Sequence, residues 1–529
     1  MADLPAYENI QFELVPIEAG VDKTLEDCWN EVQLATGNLL TDWGIEKLRK
    51  GLDPYVKTVL VETPYICEDF RSLHRHFYGR KFRERPSKCA RLHFFDKAIS
   101  ESDLLLDGTN DLYIGFSVIE PLVVRCIGRT VINPEKIGHP LKSVHLLGTR
   151  FINRIAGKRF ECTGFPYRTQ SNEATVCAHV TMWAVCRYLS QRFNLYRKHL
   201  PYELIEMAGR RNGRVMPHHG LSYADYSEML DRFGCHPVIV SNHGFGPFPF
   251  SSSNSKIVCQ SDYAQFLKSL YCYIESGFPL IATFGGHVVS IVGHKSLAPA
   301  DVGERTLVMN SEEPSDTLIH ASELVDEYIA MDDNCFPYQV LPRTTDDSGT
   351  EYPRALDQLR GIVVPLPDEV FLRPKDVDGY VAKLLSEPTF KEIVDAYMVE
   401  KRNGEPLVYR PFLTTGVSFK QFKQKQLEKT PQDHAMGLQL LLSLPRFIWC
   451  VELSTPSMRA EDRAFGEILL DATAGESDLE PIFVRIGSEL ARSSSNNGTS
   501  QLDYFKKNPY TDFAQYRHNL GTPVQNDKA

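Results

Sequence analysis

The order of predicted elements between residues 155 and 342 restricts the fold more than any other feature of the sequence. Helical patterns fill the first half of this stretch, at 175–193, 199–210 and 222–233. After a further helix at 261–276, apolar strand patterns follow at 279–284, 287–293 and 306–310, with a short helix at 321–328. A helical half followed by a β half predicts an α+β unit, because a doubly wound sheet would alternate strands and helices.

The chain is too long for a single compact core, since it has 529 residues. Before the central unit the pattern predicts a helix at 24–50 and then strands, and after it the polar run 344–352 predicts a linker. The predicted division is an N-terminal mixed α+β domain, the α+β unit, a C-terminal mixed α+β domain and a loosely ordered tail, at 1–150, 151–345, 346–491 and 492–529.

Composition excludes several classes of protein. Hydrophobic residues make up 42% of the chain and charged residues 24%, which is typical of a folded protein. The formal net charge of -10 makes nucleic acid and anionic membranes unlikely partners of the whole molecule. Residues 1–21 lack the pattern of a secretory signal, and no apolar run approaches the roughly 20 residues of a spanning helix. We therefore expect a cytoplasmic protein with no membrane partner.

The twelve cysteines include no C-x-x-C pair, so neither a disulfide framework nor a structural zinc site is expected. Phosphate-binding glycine loops, zincin motifs and nucleophile-elbow motifs are also missing from the sequence. No metal and no organic cofactor is predicted.

One basic segment departs from the acidic balance of the chain. Residues 71–91 hold eight lysines and arginines against one glutamate. The segment is interpreted either as a docking surface for phosphate or an acidic partner, or as a solvated helix face with a loop.

Cys177 opens an apolar helical pattern and is a candidate nucleophile. Ser171, Asn172 and Thr175 are all possible N-caps, and with Thr175 as the cap Cys177 lies in the first helical turn. The positive end of the helix dipole there favours a thiolate, the reactive form of cysteine. His179, two positions along, points to another side of the helix and is interpreted as structural or substrate-facing.

A cysteine nucleophile needs a base, and the base needs a group that orients it. His287 heads an apolar strand behind Gly285 and Gly286, so it would be fixed at the exposed end of a buried strand. The segment 327–334 ends in Asp332 and Asp333, and either carboxylate could orient the imidazole. A lone histidine or a strand-end aspartate is usually structural; it is the conjunction with Cys177 that indicates catalysis.

Gln170, Cys177, His287 and Asp332 occur in the order of the papain-like cysteine peptidases. The sequence most resembles the bacteriocin-processing, double-glycine-leader branch, through Gly277-Phe278-Pro279, Gly286-His287 and Val292-Gly293. It departs from that branch in having Ala178 after the cysteine, and in a Gln-to-Cys spacing of seven residues.

The resemblance implies a papain-like core with a helical half and an antiparallel β half. It also implies that Cys177 attacks the scissile carbonyl and His287 acts as base and then acid. Asp332 would orient the imidazole, and Gln170 with the backbone N–H of Cys177 would form the oxyanion hole. Asp333 stays open as the third triad member.

The expected function is therefore a cysteine peptidase acting on a protein or peptide substrate, with a possible regulatory or dedicated partner protein. Two alternatives remain. The same residues would serve a transglutaminase-like acyltransferase or amidase, because these enzymes also form a thioester. A peptidase-like module could also bind a peptide without cutting it.

Overall fold

The structure is a computed structural model. It describes residues 10–20, 23–104, 106–138, 144–171, 173–208, 220–242, 257–260, 263–297, 318–344, 352–401, 405–475, 479–496, 499–505 and 508–517. Helices accompany three large sheets in which neighbouring strands are mostly antiparallel, so the α+β class predicted from the sequence is confirmed.

The N-terminal sheet is an antiparallel meander whose strands lie in chain order. Its strands are β1 (Gln11–Pro16), β2 (Thr58–Tyr65), β3 (Cys89–Phe95), β4 (Tyr113–Ile119) and β5 (Ile127–Ile132). Its helices are α1 (Leu25–Ala35), α2 (Asp42–Leu52), α3 (Glu68–His76) and α4 (Glu101–Leu104). The single helix predicted over 24–50 is wrong, because Gly37 and Asn38 have positive φ angles of 65° and 61° and end α1. Thr41 then caps α2 through its side chain.

Three short strands lead into the central unit. They are β6 (Val144–Leu146), β7 (Thr149–Ile155) and β8 (Lys158–Gly164). Strands β7 and β8 form a separate antiparallel hairpin.

Among the described residues, the central region supplies four helices and eight strands. The helices are α5 (Cys177–Arg192), α6 (Pro201–Met207), α7 (Tyr223–Phe233) and α8 (Tyr263–Glu275). The strands are β9 (Val238–Asn242), β10 (Ile257–Gln260), β11 (Leu280–Phe284), β12 (His287–Ser296), β13 (Leu318–His320), β14 (Val325–Met331), β15 (Gln339–Leu341) and β16 (Gly361–Val364).

The central sheet has the order β10-β9-β16-β11-β12-β14-β15. Strand β16 lies beyond the expected boundary at 345, yet it pairs antiparallel with both β9 and β11. Strand β6, from before the boundary at 150, pairs with the far end of β12, next to the stretch that pairs with β11. Strand pairing therefore crosses both ends of the predicted central unit.

A third sheet has the order β13-β17-β18-β20-β21-β22-β23. Besides β13, its strands are β17 (Leu407–Thr415), β18 (Phe447–Ser454), β20 (Gly466–Asp471), β21 (Pro481–Ile486), β22 (Glu489–Asn496) and β23 (Thr499–Phe505). Two further strands, β19 (Arg463–Ala464) and β24 (Phe513–Ala514), form a separate antiparallel pair. Its helices are α9 (Pro374–Ser386), α10 (Pro388–Lys401), α11 (Gly416–Lys429), α12 (His434–Leu441) and α13 (Pro456–Ala460).

Several sequence expectations change here. The helix predicted over 321–328 is a single 3-10 turn at Ala321–Leu324 followed by β14. The stretch expected to be a loose tail begins with the antiparallel hairpin of β22 and β23. The strand predicted at 306–310 lies outside the described residues, as do most of the linker candidate 344–352 and all of the tail after 517.

Helix α5 is the buried centre around which the N-terminal and central sheets pack. Every residue from Ala178 to Leu189 is buried. Trp183 belongs to one apolar cluster together with Trp29 from α1 and Val292 from β12. A helix covered on all sides has little freedom to move, so its first residue is held rigidly. Within the part of the chain that the structure describes, no helix has the length and apolar character needed to cross a bilayer.

Candidate active site

Cys177 is the first residue of α5, and no side chain caps the helix there. The N-cap is Val176, so the predicted cap Thr175 is wrong. The loop before the helix is stabilised by its own hydrogen bonds: the Ser171 hydroxyl accepts from the backbone N–H groups of Ala174 and Thr175 at 2.9 and 3.0 Å. The backbone N–H of His179 donates to the carbonyl oxygen of Val176 at 3.0 Å, so among the described residues it is the N–H groups of Cys177 and Ala178 that remain open for an anion. Cys177 is partly exposed beside them.

His287 is the first residue of β12 and follows a two-residue turn. Phe284 at the end of β11 pairs with His287, and Gly286 in the turn has a φ of +82°. A residue with a side chain is strained in that region, which explains the glycine. The turn places the imidazole at the end of the sheet, where it is 8% exposed.

Asp332 directly follows β14, which pairs with β12 through Ser290 and Met331. The Nε2–H of His287 donates to Oδ1 of Asp332 at 2.8 Å. The same carboxylate accepts from the backbone N–H of Asn334 at 2.9 Å and from the Tyr352 hydroxyl at 3.1 Å. With so many donors, the Asp332 carboxylate is fixed in one orientation.

The Cys177 thiol lies beside the same imidazole, because it contributes to raising the pKa of His287. Because Nε2 is occupied by Asp332, Nδ1 is the ring nitrogen left for the sulfur. The structure thus brings three of the predicted residues together as a Cys177–His287–Asp332 chain, from helix α5, strand β12 and the end of strand β14.

The electrostatics of this chain favour a charged imidazole. Burial lowers the pKa of His287, but its hydrogen bond to Asp332, the neighbouring Cys177 sulfur and the nearby carboxylates outweigh burial and raise the pKa from 6.5 to about 9. Burial raises the pKa of Asp332, whereas the bond to His287 and its charge bring that pKa down from 3.8 to about 2. At neutral pH the pair is an imidazolium and a carboxylate.

Asp333 was the alternative third member, and the structure separates it from Asp332. Its Oδ1 lies 3.7 Å from Nε2 of His287, beyond hydrogen-bond range. Burial and the charge of Asp332 raise the pKa of Asp333 from 3.8 to about 6. Its other oxygen faces Arg125 at 3.8 Å, and neither oxygen of this carboxyl accepts a hydrogen bond from the residues that the structure describes.

Gln170 lies half-buried in the loop that leads to Cys177. No hydrogen bond joins its side chain to Cys177 or His287 among the residues described. His179 is 7% exposed on the buried helix.

Sequence reasoning missed four residues that surround the two aspartates. Asn334 presents its side-chain amide 3.4 Å from Nε2 of His287 and accepts from Arg125 at 2.8 Å. Tyr352 and Arg354 bond Asp332 from beyond residue 345. Asn334 directly follows the predicted aspartates and could have been noticed, but Arg125, Tyr352 and Arg354 carry no local signal.

His287, Asp332 and Asp333 also form the only group of potential metal ligands found among the described residues, with ligand atoms within 4.8 Å of one another. The Arg354 guanidinium lies 3.4 Å from Asp332, and that of Arg125 lies 3.8 Å from Asp333. Because both carboxylates already face a cation and Nε2 is hydrogen bonded, the set suits a proton-transfer chain better than a metal. We assign no metal to it.

Comparison of the chain with protein-family models, with curated proteins and with solved structures gives no match in any of the three.

Proposed function

We propose that the protein is a cysteine peptidase with a papain-like catalytic unit, acting on a protein or peptide substrate. One observation carries the proposal: a partly exposed cysteine at the start of a buried helix lies beside a histidine that is itself hydrogen bonded to a buried aspartate. The cysteine lies on a helix, the histidine lies on a strand and the aspartate directly follows a strand. These positions agree with the papain-like arrangement that the sequence resembles.

The first half-reaction forms a thioester. The Cys177 thiolate, stabilised by the imidazolium and the helix start, attacks the carbonyl carbon of the scissile amide. The developing oxyanion is held by the backbone N–H of Cys177 and by Gln170. His287 gives its proton to the leaving amine as the C–N bond breaks, and Asp332 keeps the ring oriented throughout.

The second half-reaction releases the acid. The neutral imidazole takes a proton from water, the resulting hydroxide attacks the thioester, and the C–S bond breaks to return the thiolate and the imidazolium. We place the protein in the reducing cytoplasm, where the thiol of Cys177 stays available.

The proposal is tested by the pH dependence of iodoacetamide labelling, measured for each cysteine by peptide mass spectrometry. Cys335 is the internal reference, because it is the other partly exposed cysteine among the described ones and burial together with Asp332 raises its pKa to about 11. We expect Cys177 to label at least tenfold faster than Cys335 at pH 6, and to lose that advantage in His287→Ala. Equal labelling of the two cysteines in the wild-type chain would exclude an assembled pair.

A further inference from the structure

The basic loop, residues 78–88, is the strongest feature of the surface that the proposed chemistry leaves unexplained. Together with Arg71 and Arg75 on α3 it carries most of the positive charge of the segment 71–91. Both α3 arginines are exposed, as are Arg80 and Arg83 in the loop. A chain with a formal net charge of -10 thus presents one concentrated cationic surface.

The base of the basic loop is anchored. A ring nitrogen of His74 on α3 lies 2.9 Å from the backbone oxygen of Arg85. The Lys81 ammonium lies 4.8 Å from the ring centre of Phe77, and the Arg85 guanidinium lies 5.7 Å from that of Tyr78. These contacts give the loop a defined shape, so the side chains at its tip are held in place without covering one another.

The tip of the basic loop is uncovered. Phe82 is fully exposed, and Arg80 and Arg83 on either side of it form no ion pair with any residue that the structure describes. An exposed aromatic ring between two arginines is the composition of a binding hot spot, because both residue types are enriched at interface centres.

The basic loop is also joined to the candidate active site. Lys81 forms an ion pair of 2.8 Å with Glu173, and Arg85 approaches the same carboxylate at 3.8 Å. Glu173 lies between Gln170 and Cys177, four residues before the nucleophile. Four residues of extended chain span at most about 14 Å, so the point where the loop contacts Glu173 lies within that distance of Cys177 along the backbone.

We propose that the basic loop binds an acidic stretch of the protein substrate, with an apolar side chain of that stretch packed on Phe82. The assignment of the bound partner as substrate rests on the proposed peptidase function. The acidic stretch would lie several residues from the scissile bond, because the loop tip projects beyond the contact with Glu173. A peptide partner is favoured over nucleic acid because the rest of the chain is acidic and would repel a long polyanion.

The test measures binding without cleavage, using the full chain with Cys177→Ala. The probe is a fluorescein-labelled peptide in which one leucine is flanked on each side by four glutamates, followed by fluorescence anisotropy at low salt. The variant Arg80→Glu/Arg83→Glu removes the tip charges, and Phe82→Ala removes the ring. The matched control is Lys375→Glu/Lys383→Glu, which makes the same charge change on the exposed face of α9.

We expect the tip double variant to weaken binding at least tenfold and to flatten its salt dependence, and Phe82→Ala to weaken it about threefold. The control should change affinity less than twofold. Equal losses in the tip variant and the control would overturn the proposal, since general charge would then explain the binding. A single-stranded oligonucleotide of equal charge that binds more tightly, with the same loss in the tip variant, would overturn the assignment to an acidic peptide.

Failure here is distinguishable from failure of the proposed function. Iodoacetamide labelling of Cys177 reports the catalytic chain alone, and the tip double variant should keep the wild-type labelling rate within about twofold. If Cys177 is labelled at the expected rate but the peptide does not bind, the docking proposal is contradicted and the proposed peptidase function is unaffected.

Discussion

At the scale of single residues, the charges of His287 and Asp332 determine how the site responds to pH. The raised pKa of His287, about 9, means that its charged form stabilises the fold fully below about pH 6.5 and that this contribution is lost as pH rises through 9. The lowered pKa of Asp332, about 2, means that its contribution is present above about pH 4 and is lost as pH falls through 2.

Asp332→Asn should therefore destabilise the protein in a pH-dependent way. We expect the loss in guanidinium midpoint to be largest between about pH 4 and 6.5 and to shrink steadily towards pH 9. Asp53→Asn is the control, because Asp53 bonds Arg49 and Trp29 instead of a histidine, and its effect should stay constant from pH 6 to 9. A constant penalty for Asp332→Asn over that range would contradict the coupled pair.

The two neighbouring aspartates should differ in their effect on the nucleophile. Asp332 bonds the imidazole at 2.8 Å, whereas Asp333 stays at 3.7 Å. We expect Asp332→Asn to slow iodoacetamide labelling of Cys177 at pH 6 by at least tenfold, and Asp333→Asn to slow it by less than threefold. The reverse order would make Asp333 the orienting carboxylate.

At the scale of elements, close packing at one strand junction makes a glycine indispensable. A Cβ on Gly293 in β12 would lie 2.2 Å from the backbone oxygen of His145 in β6. Gly293→Ala should lower the free energy of unfolding by about 1–3 kcal/mol, because the β6–β12 pairing must separate.

The control for Gly293→Ala is Gly379→Ala within α9, where a Cβ would meet nothing within 4 Å. There we expect a gain of about 0.5–1 kcal/mol, because alanine loses less conformational entropy in a helix. Equal effects at the two positions, measured by chemical denaturation, would contradict the packing argument.

Some of the helices and strands could be predicted from local sequence patterns, and others could not. Local signals predicted α5 and the strand that carries His287, since periodicity and glycine placement are local properties. The break between α1 and α2 was missed because Asn38 adopts a left-handed conformation that the apolar pattern does not reveal. The helix expected over 321–328 is largely strand because pairing with β12 outweighs local helix propensity.

The place of β16 within the central sheet could not be predicted from the sequence. An apolar run of four residues, Gly361–Val364, has no preference for one sheet over another. Its place between β9 and β11 depends on partners more than 70 residues away, which no local pattern records. The same holds for Tyr352 and Arg354, which reach Asp332 only because the chain returns to this sheet.

At the scale of the whole molecule, the predicted central unit is not an independent piece. A chain ending at residue 345 lacks β16 from the interior of the central sheet and lacks Tyr352 beside Asp332. We expect this truncated chain to be insoluble or to show no cooperative unfolding transition, because β9 and β11 would expose unpaired edges. A truncated chain with a cooperative transition and fast Cys177 labelling would contradict this expectation.

A buried ion cluster joins the central and third sheets. Arg410 on β17 bonds Glu275 at the end of α8 and Glu452 on β18, each at 2.7 Å, and all three are buried. Arg410→Met should lower the free energy of unfolding by about 3–5 kcal/mol, because two buried carboxylates would lose their cation.

The matched control is Arg446→Met, since Arg446 pairs with Glu369 on the exposed surface. An exposed ion pair contributes about 1 kcal/mol or less, so this variant should be almost neutral. A small effect of Arg410→Met in chemical denaturation would show that the cluster does not couple the two sheets.

The interior position of β16 has a consequence for how the protein is made. The ribosome delivers the chain from its N-terminus, so Cys177, His287 and Asp332 all emerge before residues 361–364. Until that strand emerges, β9 and β11 have no partner between them, so the central sheet is incomplete. The pairing of β12 with β14 can form earlier, but the sheet that supports it is completed only after residues 361–364 have been made.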